Sequence, residues 1–293
     1  MTNVGKVYLV GAGPGHPDLL TIRAATLLKQ AEVIVYDRLI QEEVLALAKP
    51  PAEKIFMGKP LGKHASRQDE IHELLVRRAR EGKTVVRLKG GDPFLFGRGG
   101  EEAEYLARHG VPFEVVPGVS SCLSAPLSAG IAVTHRDIAA SVAIVTGHHA
   151  DGSDEHLDWY ALSKVDTLVV LMGVHNADHI AQQLMAAGRS PDTPAAVVQM
   201  AFWPGESVVS ATLGTIADEV RRAHVEPPAT LVIGEVVRLR EKLKDHQQHI
   251  AEHAGHDSMI QLVPVPDQPS GETLGLKEEN CVSPDLHEKE FLQ

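Results

Sequence analysis

The segment of residues 87–102 combines glycines, charged side chains and two phenylalanines in a pattern that favours a ligand-binding loop. Glycine lets a ligand approach the backbone closely because it has no side chain. Asp92 could accept a hydrogen bond from a ribose hydroxyl or an amino group, and Arg98 could bind a carboxylate. An Asp-Pro step followed by two phenylalanines is poorly suited to a merely solvated loop, so we interpret this segment as part of a site.

A second glycine loop, at residues 11–17, follows an apolar stretch and resembles a dinucleotide-binding fingerprint. Asp37 also lies about where an acid that binds a ribose belongs. Two details argue against that interpretation. His16 occupies the position of the third glycine, and Pro14 has no backbone N–H to offer a pyrophosphate. An NAD-dependent oxidoreductase therefore stays open as an alternative, as does a simple turn between a strand and a helix.

The elements that must position these residues alternate along the chain as apolar strands and periodic helices. This alternation predicts an α/β protein with mostly parallel sheets, whose ligands bind at the carboxyl ends of the strands. Glycine-containing loops at residues 11–17, 90–93 and 117–121 fall at that edge. Further predicted strands include residues 113–116 and 142–146 and a last strand at residues 230–237.

The chain is expected to divide into three parts. Residues 1–136 and 137–244 are predicted to form two α/β domains with a ligand cleft between them, and residues 245–293 an acidic, His-containing, disordered tail. Ten acidic residues and two lysines lie in the tail, so the first 244 residues carry only −3 of the net charge of −11. A nearly neutral core argues against a nucleic-acid partner.

The two cysteines, Cys122 and Cys281, form neither a disulfide framework nor a zinc pattern. No stretch reaches the ~20 apolar residues that span a bilayer, and the N-terminus does not resemble a secretory signal. A cytoplasmic enzyme without a membrane partner is therefore expected. Four tail histidines between residues 246 and 256 would share one helix face, but we interpret them as solvated rather than as a metal site.

The motifs of the chain resemble, in order, those of the uroporphyrinogen-III C-methyltransferases within the wider tetrapyrrole methylase superfamily. The matching segments are VYLVGAGPGHPDLLT, VIVYDRLI, MGK, VVRLKGGDPFLFGRGGEE, VVPGVSS, GIAVTHRDIAASVAIVTGH, VVLMG and ATLVIGEVV. They extend from Val7 to Val237, about four-fifths of the chain, and as an ordered set they are far more specific than a single glycine loop.

The resemblance implies that S-adenosyl-L-methionine is the methyl donor, bound between two α/β domains, that S-adenosyl-L-homocysteine is the product, and that no metal is needed. The donor-binding residues that it implies are Pro14, Gly90, Gly91, Asp92, Leu95, Ser120, Ser121, Met172, Ala201 and Thr230. Ser120 and Ser121 depart from the threonine-rich pair common in relatives, and His16 replaces the usual aspartate. Neither change removes an obvious reacting group.

The resemblance also implies that a homodimer methylates uroporphyrinogen III at C2 and C7, giving precorrin-2 via precorrin-1. The eight carboxylates of that substrate require local cations. Candidate substrate-binding residues are Arg38, Lys59, Lys63, Arg67, Arg98 and Arg136, with the neighbouring Glu101.

Methyl transfer to carbon mainly requires alignment, after which the substrate must lose a proton. Candidates for handling the proton are Asp37, Glu101 and Lys59. The resemblance implies Asp37 as acceptor and Lys59 as donor. From the residues alone we expect Arg98 to orient the ring first and to assist proton transfer second, since a group with a pKa above ~12 is a poor base.

Two other functions within the resemblance stay open. One is a C-methyltransferase that acts later on a corrinoid, and the other is a non-catalytic tetrapyrrole-binding protein. The sequence does not indicate whether the product feeds sirohaem, haem d1 or cobalamin, because all three begin with this step.

Overall fold

The computed structural model describes residues 4–58, 66–147 and 157–243. Strands and helices alternate along these residues, and the strands form two five-stranded sheets. The predicted α/β class is therefore confirmed.

The first sheet has the order β3-β2-β4-β1-β5, and all of its strand pairs are parallel. Parallel neighbours need a crossover connection, which the helices between these strands provide. The strands are β1 (Val7–Gly11), β2 (Val33–Tyr36), β3 (Glu53–Phe56), β4 (Val85–Lys89) and β5 (Phe113–Val116), and the helices are α1 (Ile22–Gln30), α2 (Glu42–Leu45), α3 (Ser66–Arg80) and α4 (Gly99–Arg108). The parallel sheet predicted for the first half of the chain is confirmed.

Each face of the first sheet is covered by its own apolar layer. Leu27 and Leu28 of α1 pack with Leu88 on one face, whereas Leu75 of α3 and Leu106 of α4 pack on the other. Side chains of β4 alternate between the two layers because successive residues of a strand point to opposite faces. The central strand β4 is therefore buried along its whole length.

The second sheet has the order β6-β7-β10-β8-β9 and is mixed rather than mostly parallel. Its strands are β6 (Val142–Thr146), β7 (Thr167–Leu171), β8 (Pro194–Gln199), β9 (Ser207–Thr212) and β10 (Ala229–Ile233). Only β6 and β7 pair in parallel. The short link between β8 and β9 allows only an antiparallel hairpin, and β10 inserts antiparallel between β7 and β8.

Four further helices surround the second sheet or connect to it: α5 (Ser121–Ser128), α6 (Trp159–Lys164), α7 (Ala177–Ala186) and α8 (Ile216–Arg222). Ser120 is the N-cap of α5, and its side chain accepts a hydrogen bond from the Cys122 N–H. Although α5 follows a strand of the first sheet, Ala125 and Ala129 pack with Val198 and Val232 of the second sheet. The chain therefore crosses between the two sheets before residue 137.

Three elements differ from the sequence prediction. Strand β3 was not predicted because it is an edge strand with a largely exposed, charged sequence, and the short helix α6 gave no periodic signal. The last strand ends at Ile233 rather than at residue 237, because Gly234 turns the chain (φ 148°) into a 3-10 helix, Glu235–Arg238.

The described residues up to 243 belong to one compact unit. The predicted division into domains at residues 136 and 137 stays a prediction. No helix within the described ranges is long and apolar enough to cross a membrane. The tail at 245–293 lies outside the described residues.

Candidate functional site

Three loops of the first sheet meet through glycine backbones at the carboxyl ends of β1, β4 and β5. A Cβ atom added to Gly11 would lie 2.5 Å from the Gly118 nitrogen and 2.6 Å from the Gly91 oxygen. Gly13 and Gly91, both with positive φ, exchange two backbone hydrogen bonds of 3.2 and 2.7 Å. Only residues without side chains allow this approach, so the three glycine loops predicted from the sequence form one continuous floor.

Asp92 fixes the relative position of two of these loops. Its Oδ1 atom accepts a hydrogen bond from the Phe94 N–H at 2.8 Å, and its Oδ2 atom accepts one from the Gly118 N–H at 3.1 Å. Each carboxylate oxygen can accept a second hydrogen bond. Asp92 therefore holds the loops together and still has lone pairs available for a ligand.

A loop of the second sheet closes over the first glycine loop. The indole Nε1 of Trp203 donates a hydrogen bond to the Pro14 carbonyl at 2.9 Å, and Gln41 Nε2 donates one to the Phe202 carbonyl at 3.2 Å. Met200 and Phe202 both have positive φ values, 54° and 61°. These contacts bring the partly buried Ala201 to the same edge as Pro14.

The remaining candidate donor-binding residues connect the two sheets. Leu95 packs against the buried cluster of Cys122, Val169 and Leu171, and Thr230 on β10 is the strand partner of Leu171 at the end of β7. Met172 follows Leu171 along the chain, and its side chain is half-exposed. Its φ of 55° is a strained backbone conformation of the kind that costs free energy and clusters at functional sites. Ser120, the N-cap of α5, and Ser121, its first residue, lie beside Gly91.

The charged candidates Arg98 and Glu101 form a bidentate ion pair at the start of α4. Arg98 Nε lies 2.8 Å from Glu101 Oε1, and Arg98 Nη2 lies 2.6 Å from Glu101 Oε2. The hydrogen bonds that Arg98 donates to the Glu101 carboxylate raise the pKa of Arg98 and lower the pKa of Glu101. Both side chains are about half exposed. Arg98 is therefore a fixed, accessible cation.

Asp37 follows β2 at the carboxyl edge of the first sheet. Its Oδ1 atom accepts a hydrogen bond from the Leu39 N–H at 3.0 Å, and its Oδ2 atom lies 3.5 Å from Arg87 Nη2. The adjacent Arg38 is exposed, as is Arg136 in the turn before β6. Lys59 and Lys63 lie outside the described residues, as does the side chain of Arg67.

A buried ion cluster, which was not predicted from the sequence, lies beneath this edge. Arg87 Nε and Lys89 Nζ, both on β4, lie 3.1 and 2.9 Å from the same Oε1 atom of Glu102 on α4. The available signal was two cations two residues apart in an otherwise apolar strand, since such cations face the same layer and require a buried anion. Within the described residues no group of three or more His, Cys, Asp or Glu side chains could hold a metal.

Comparison with known proteins decides the family. The tetrapyrrole (corrin/porphyrin) methylase profile matches residues 6–217. This chain belongs to the tetrapyrrole methylase family. The resemblance inferred from the ordered motifs is therefore confirmed, and the glycine floor described above is that of a tetrapyrrole methylase rather than of a dinucleotide-binding fold.

Similar tetrapyrrole methylases differ in how much of their length the chain matches. It is 48% identical to uroporphyrinogen-III C-methyltransferase of Priestia megaterium, over 80% of this chain and 99% of that protein. It is 52% identical to siroheme synthase of Stutzerimonas stutzeri, over 82% of this chain but 52% of that protein. The chain therefore spans about half the length of the siroheme synthases that it matches.

Solved structures of tetrapyrrole methylases have the same fold. Uroporphyrin-III C-methyl transferase from Thermus thermophilus, complexed with S-adenyl homocysteine, superposes with a TM-score of 0.70 at 49% identity, covering 80% of this chain and 94% of that one. A cobalt precorrin-4 methyltransferase superposes with a TM-score of 0.71 at 32% identity, covering 79% and 95% of the two chains.

Proposed function

We propose that this chain is an S-adenosyl-L-methionine-dependent uroporphyrinogen-III C-methyltransferase, which methylates C2 and C7 to give precorrin-2 via precorrin-1. The observation that carries this proposal is the 49% identity, over 94% of its length, to the Thermus thermophilus methyltransferase complexed with S-adenyl homocysteine. The proposal covers this reaction alone, and not the other activities of the longer siroheme synthases.

Two features of the described residues support binding of the methyl donor. The close backbone packing of Gly11, Gly91 and Gly118 gives a floor without side chains, and Asp92 keeps lone pairs for an amino group or a ribose hydroxyl. Pro14, Gly90, Leu95, Ser120, Ser121, Met172, Ala201 and Thr230 complete the proposed donor site. When bound, the donor supplies an activated methyl group on a sulfonium. The protein's task is then to align the acceptor carbon with that methyl group.

Arg98 is proposed as the residue that orients the substrate. Glu101 holds its guanidinium in a fixed plane, which suits bidentate binding of a propionate or acetate group. Because Glu101 raises the pKa of Arg98, the guanidinium stays protonated and does not act as a base. Arg38 and Arg136, both exposed, are proposed to bind further carboxylates of the ring.

Asp37 is proposed as the acceptor of the proton that the substrate loses. Its carboxylate lies at the strand edge, anchored by one backbone N–H and one guanidinium, and is only partly exposed. Lys59 is proposed as proton donor from the resemblance alone, because it lies outside the described residues.

Donor binding and methyl transfer test this proposal together. Calorimetry should show saturable binding of S-adenosylhomocysteine and no binding of NAD. Labelled methyl should pass from S-adenosylmethionine to uroporphyrinogen III under anaerobic conditions, and Asp92→Ala should lose both signals. Binding of NAD, or no label in the tetrapyrrole with the wild-type protein, would overturn the proposal.

A later corrinoid-pathway methyltransferase is the second candidate, and the 32% identity to a cobalt precorrin-4 methyltransferase is what favours it. Supplying the enzyme with uroporphyrinogen III and, separately, with a later corrinoid precursor distinguishes the two functions. Methylation of the later precursor alone would select the second candidate, and substrate binding without any turnover would select a non-catalytic carrier.

We also propose that the protein is a cytoplasmic homodimer. Leu123 and Leu127, one turn apart on α5, are exposed apolar side chains of the kind that a subunit interface covers. Sedimentation of the purified protein tests the assembly, and cell fractionation tests the location. A monomer across micromolar concentrations would contradict the first proposal.

A further inference from the structure

One side chain, that of Arg87, connects the buried ion cluster of Arg87, Lys89 and Glu102 to Asp37 in the proposed active site. Arg87 donates from Nε to Glu102 Oε1 in the core, while its Nη2 atom lies 3.5 Å from Asp37 Oδ2 at the sheet edge. Its Nη1 atom also donates to the carbonyls of Val35 and Leu88, at 3.4 and 3.1 Å. The guanidinium is therefore held on three sides and has little freedom to rotate.

Glu102 anchors this arrangement from α4. Its side chain is completely buried, and its Oε1 atom accepts hydrogen bonds from Arg87, from Lys89 and, at 3.2 Å, from Gln68. Its Oε2 atom is also buried and has no hydrogen-bond partner among the described residues. Burial alone would raise the pKa of Glu102, but Arg87 and Lys89 outweigh it, so the pKa lies below its usual value.

A cluster of buried ions usually contributes little net stability to a protein core. Removing charges from water costs several kcal/mol per ion, and apolar residues of similar volume often fill the same space with equal or greater stability. The neighbouring side chains on this face, Val85, Leu75 and Leu106, are apolar. Stability is therefore a weak explanation for the ions, whereas the contact with Asp37 gives them a role at the surface.

We propose that Glu102 and Arg87 are positioning residues for Asp37: Glu102 fixes the Arg87 guanidinium, which holds the Asp37 carboxylate in place at the sheet edge. This inference rests on the proposed role of Asp37 as the acceptor of the proton that leaves the substrate in each methylation. It assigns a function to two buried residues that do not touch the substrate themselves.

The ion pairs around Arg87 predict which substitutions disturb Asp37. Arg87 pairs with both Glu102 and Asp37, whereas Lys89 pairs with Glu102. Removing the Arg87 guanidinium should take away the side-chain contact that holds the Asp37 carboxylate. Weakening the Glu102 anchor should let the guanidinium move, and should therefore disturb Asp37 indirectly.

The test is kcat, KM and binding of S-adenosylhomocysteine in three variants of the full chain. Arg87→Met should lower kcat about tenfold or more, because a displacement of roughly 1 Å in a positioned group can lower a rate about 100-fold. Glu102→Gln should lower kcat less, because Arg87 keeps its other contacts, and KM and donor affinity should stay near wild type in both variants. Lys89→Met is the matched control: it also removes a cation from Glu102, but its ammonium is not the group paired with Asp37, so kcat should change little.

Melting temperatures of the same variants separate positioning from folding. Arg87→Met leaves Glu102 with one cation fewer, so the double variant Arg87→Met/Glu102→Gln is included in case the single variant does not fold. The double variant removes the uncompensated charge, and it should show the same loss of kcat. Wild-type kcat in Arg87→Met and in the double variant would overturn the inference, as would equal losses of kcat in Arg87→Met and Lys89→Met.

Asp37→Asn distinguishes failure of this inference from failure of the proposed function. If Asp37→Asn abolishes turnover while the Arg87 and Glu102 variants keep wild-type kcat, only the positioning role is wrong. If Asp37→Asn keeps wild-type turnover, Asp37 is not the proton acceptor, and the inference falls with that part of the proposed function.

Discussion

Substitution of Gly11 by alanine tests whether the backbone contact of the three glycine loops forms the donor site. The added Cβ would lie 2.5 Å from the Gly118 nitrogen and 2.6 Å from the Gly118 Cα and the Gly91 oxygen. All three are backbone atoms, so no side chain can rotate away. Ordinary contact begins near 3.4 Å, and the loops must therefore separate by a large fraction of an ångström.

The expected effect is larger on function than on folding. Overpacking of this kind costs about 1–3 kcal/mol of stability. A misplacement of roughly 1 Å in a positioned site can lower the rate about 100-fold. We expect Gly11→Ala to weaken binding of S-adenosylhomocysteine at least tenfold, which is about 1.4 kcal/mol, and to lower kcat/KM about 100-fold.

Gly100→Ala is the matched control, measured by the same calorimetry, turnover assay and thermal melt. Nothing lies within 4 Å of a Cβ added to Gly100, in the first turn of α4. Alanine there should leave donor affinity and turnover unchanged and increase helix stability by about 0.5–1 kcal/mol. Donor affinity within twofold of wild type in a folded Gly11→Ala variant would refute the reasoning about the glycine floor.

Three further variants test two residues of the site and one ion-stabilised contact of the second sheet. Arg98→Lys keeps the positive charge but loses the planar guanidinium that binds a carboxylate through two hydrogen bonds. The KM for uroporphyrinogen III should therefore rise about tenfold, whereas donor affinity should not change. An unchanged KM and kcat would contradict the orienting role of Arg98. Trp203→Phe removes the hydrogen bond to Pro14 and should weaken S-adenosylhomocysteine binding about three- to tenfold. Binding should also change the tryptophan fluorescence of the wild type, and this change should be lost in Trp203→Phe, where Trp159 is the remaining tryptophan. Asp166 accepts hydrogen bonds from the Ser141 side chain and from the backbone N–H groups of Ser141 and Ala140, which lower its pKa below 3.8. The contribution of Asp166 to stability is therefore present above pH 3.8 and is lost as the pH falls through the lowered pKa. The difference in urea midpoint between wild type and Asp166→Ala should accordingly become smaller as the pH falls below 3.8. A difference that does not change with pH would contradict this role of Asp166.

Local sequence patterns predicted much of the first half of the fold. The strand Phe113–Val116 has the bounds predicted for it, and so does Val142–Thr146. Each is an apolar run flanked by turn residues, so its position depends on nearby residues alone. The glycine loops were also located, because backbone contact and positive φ leave a visible signature in the sequence.

Non-local packing explains what the sequence did not predict. The mixed order of the second sheet depends on β10 inserting between β7 and β8, which no local pattern encodes. The contact between Trp203 and Pro14 joins residues 189 positions apart. The pairing of Arg87 with Glu102 depends on how α4 lies across β4. The sequence indicates it only through two cations, Arg87 and Lys89, in an otherwise apolar strand.

The most direct test of the central claim is anaerobic incubation of the enzyme with uroporphyrinogen III and S-adenosylmethionine, followed by mass spectrometry and absorbance of the product. We predict a tetrapyrrole that has gained two methyl groups, through a singly methylated intermediate, with two equivalents of S-adenosylhomocysteine formed. Recovery of unmethylated substrate from an enzyme that binds the donor would contradict the account.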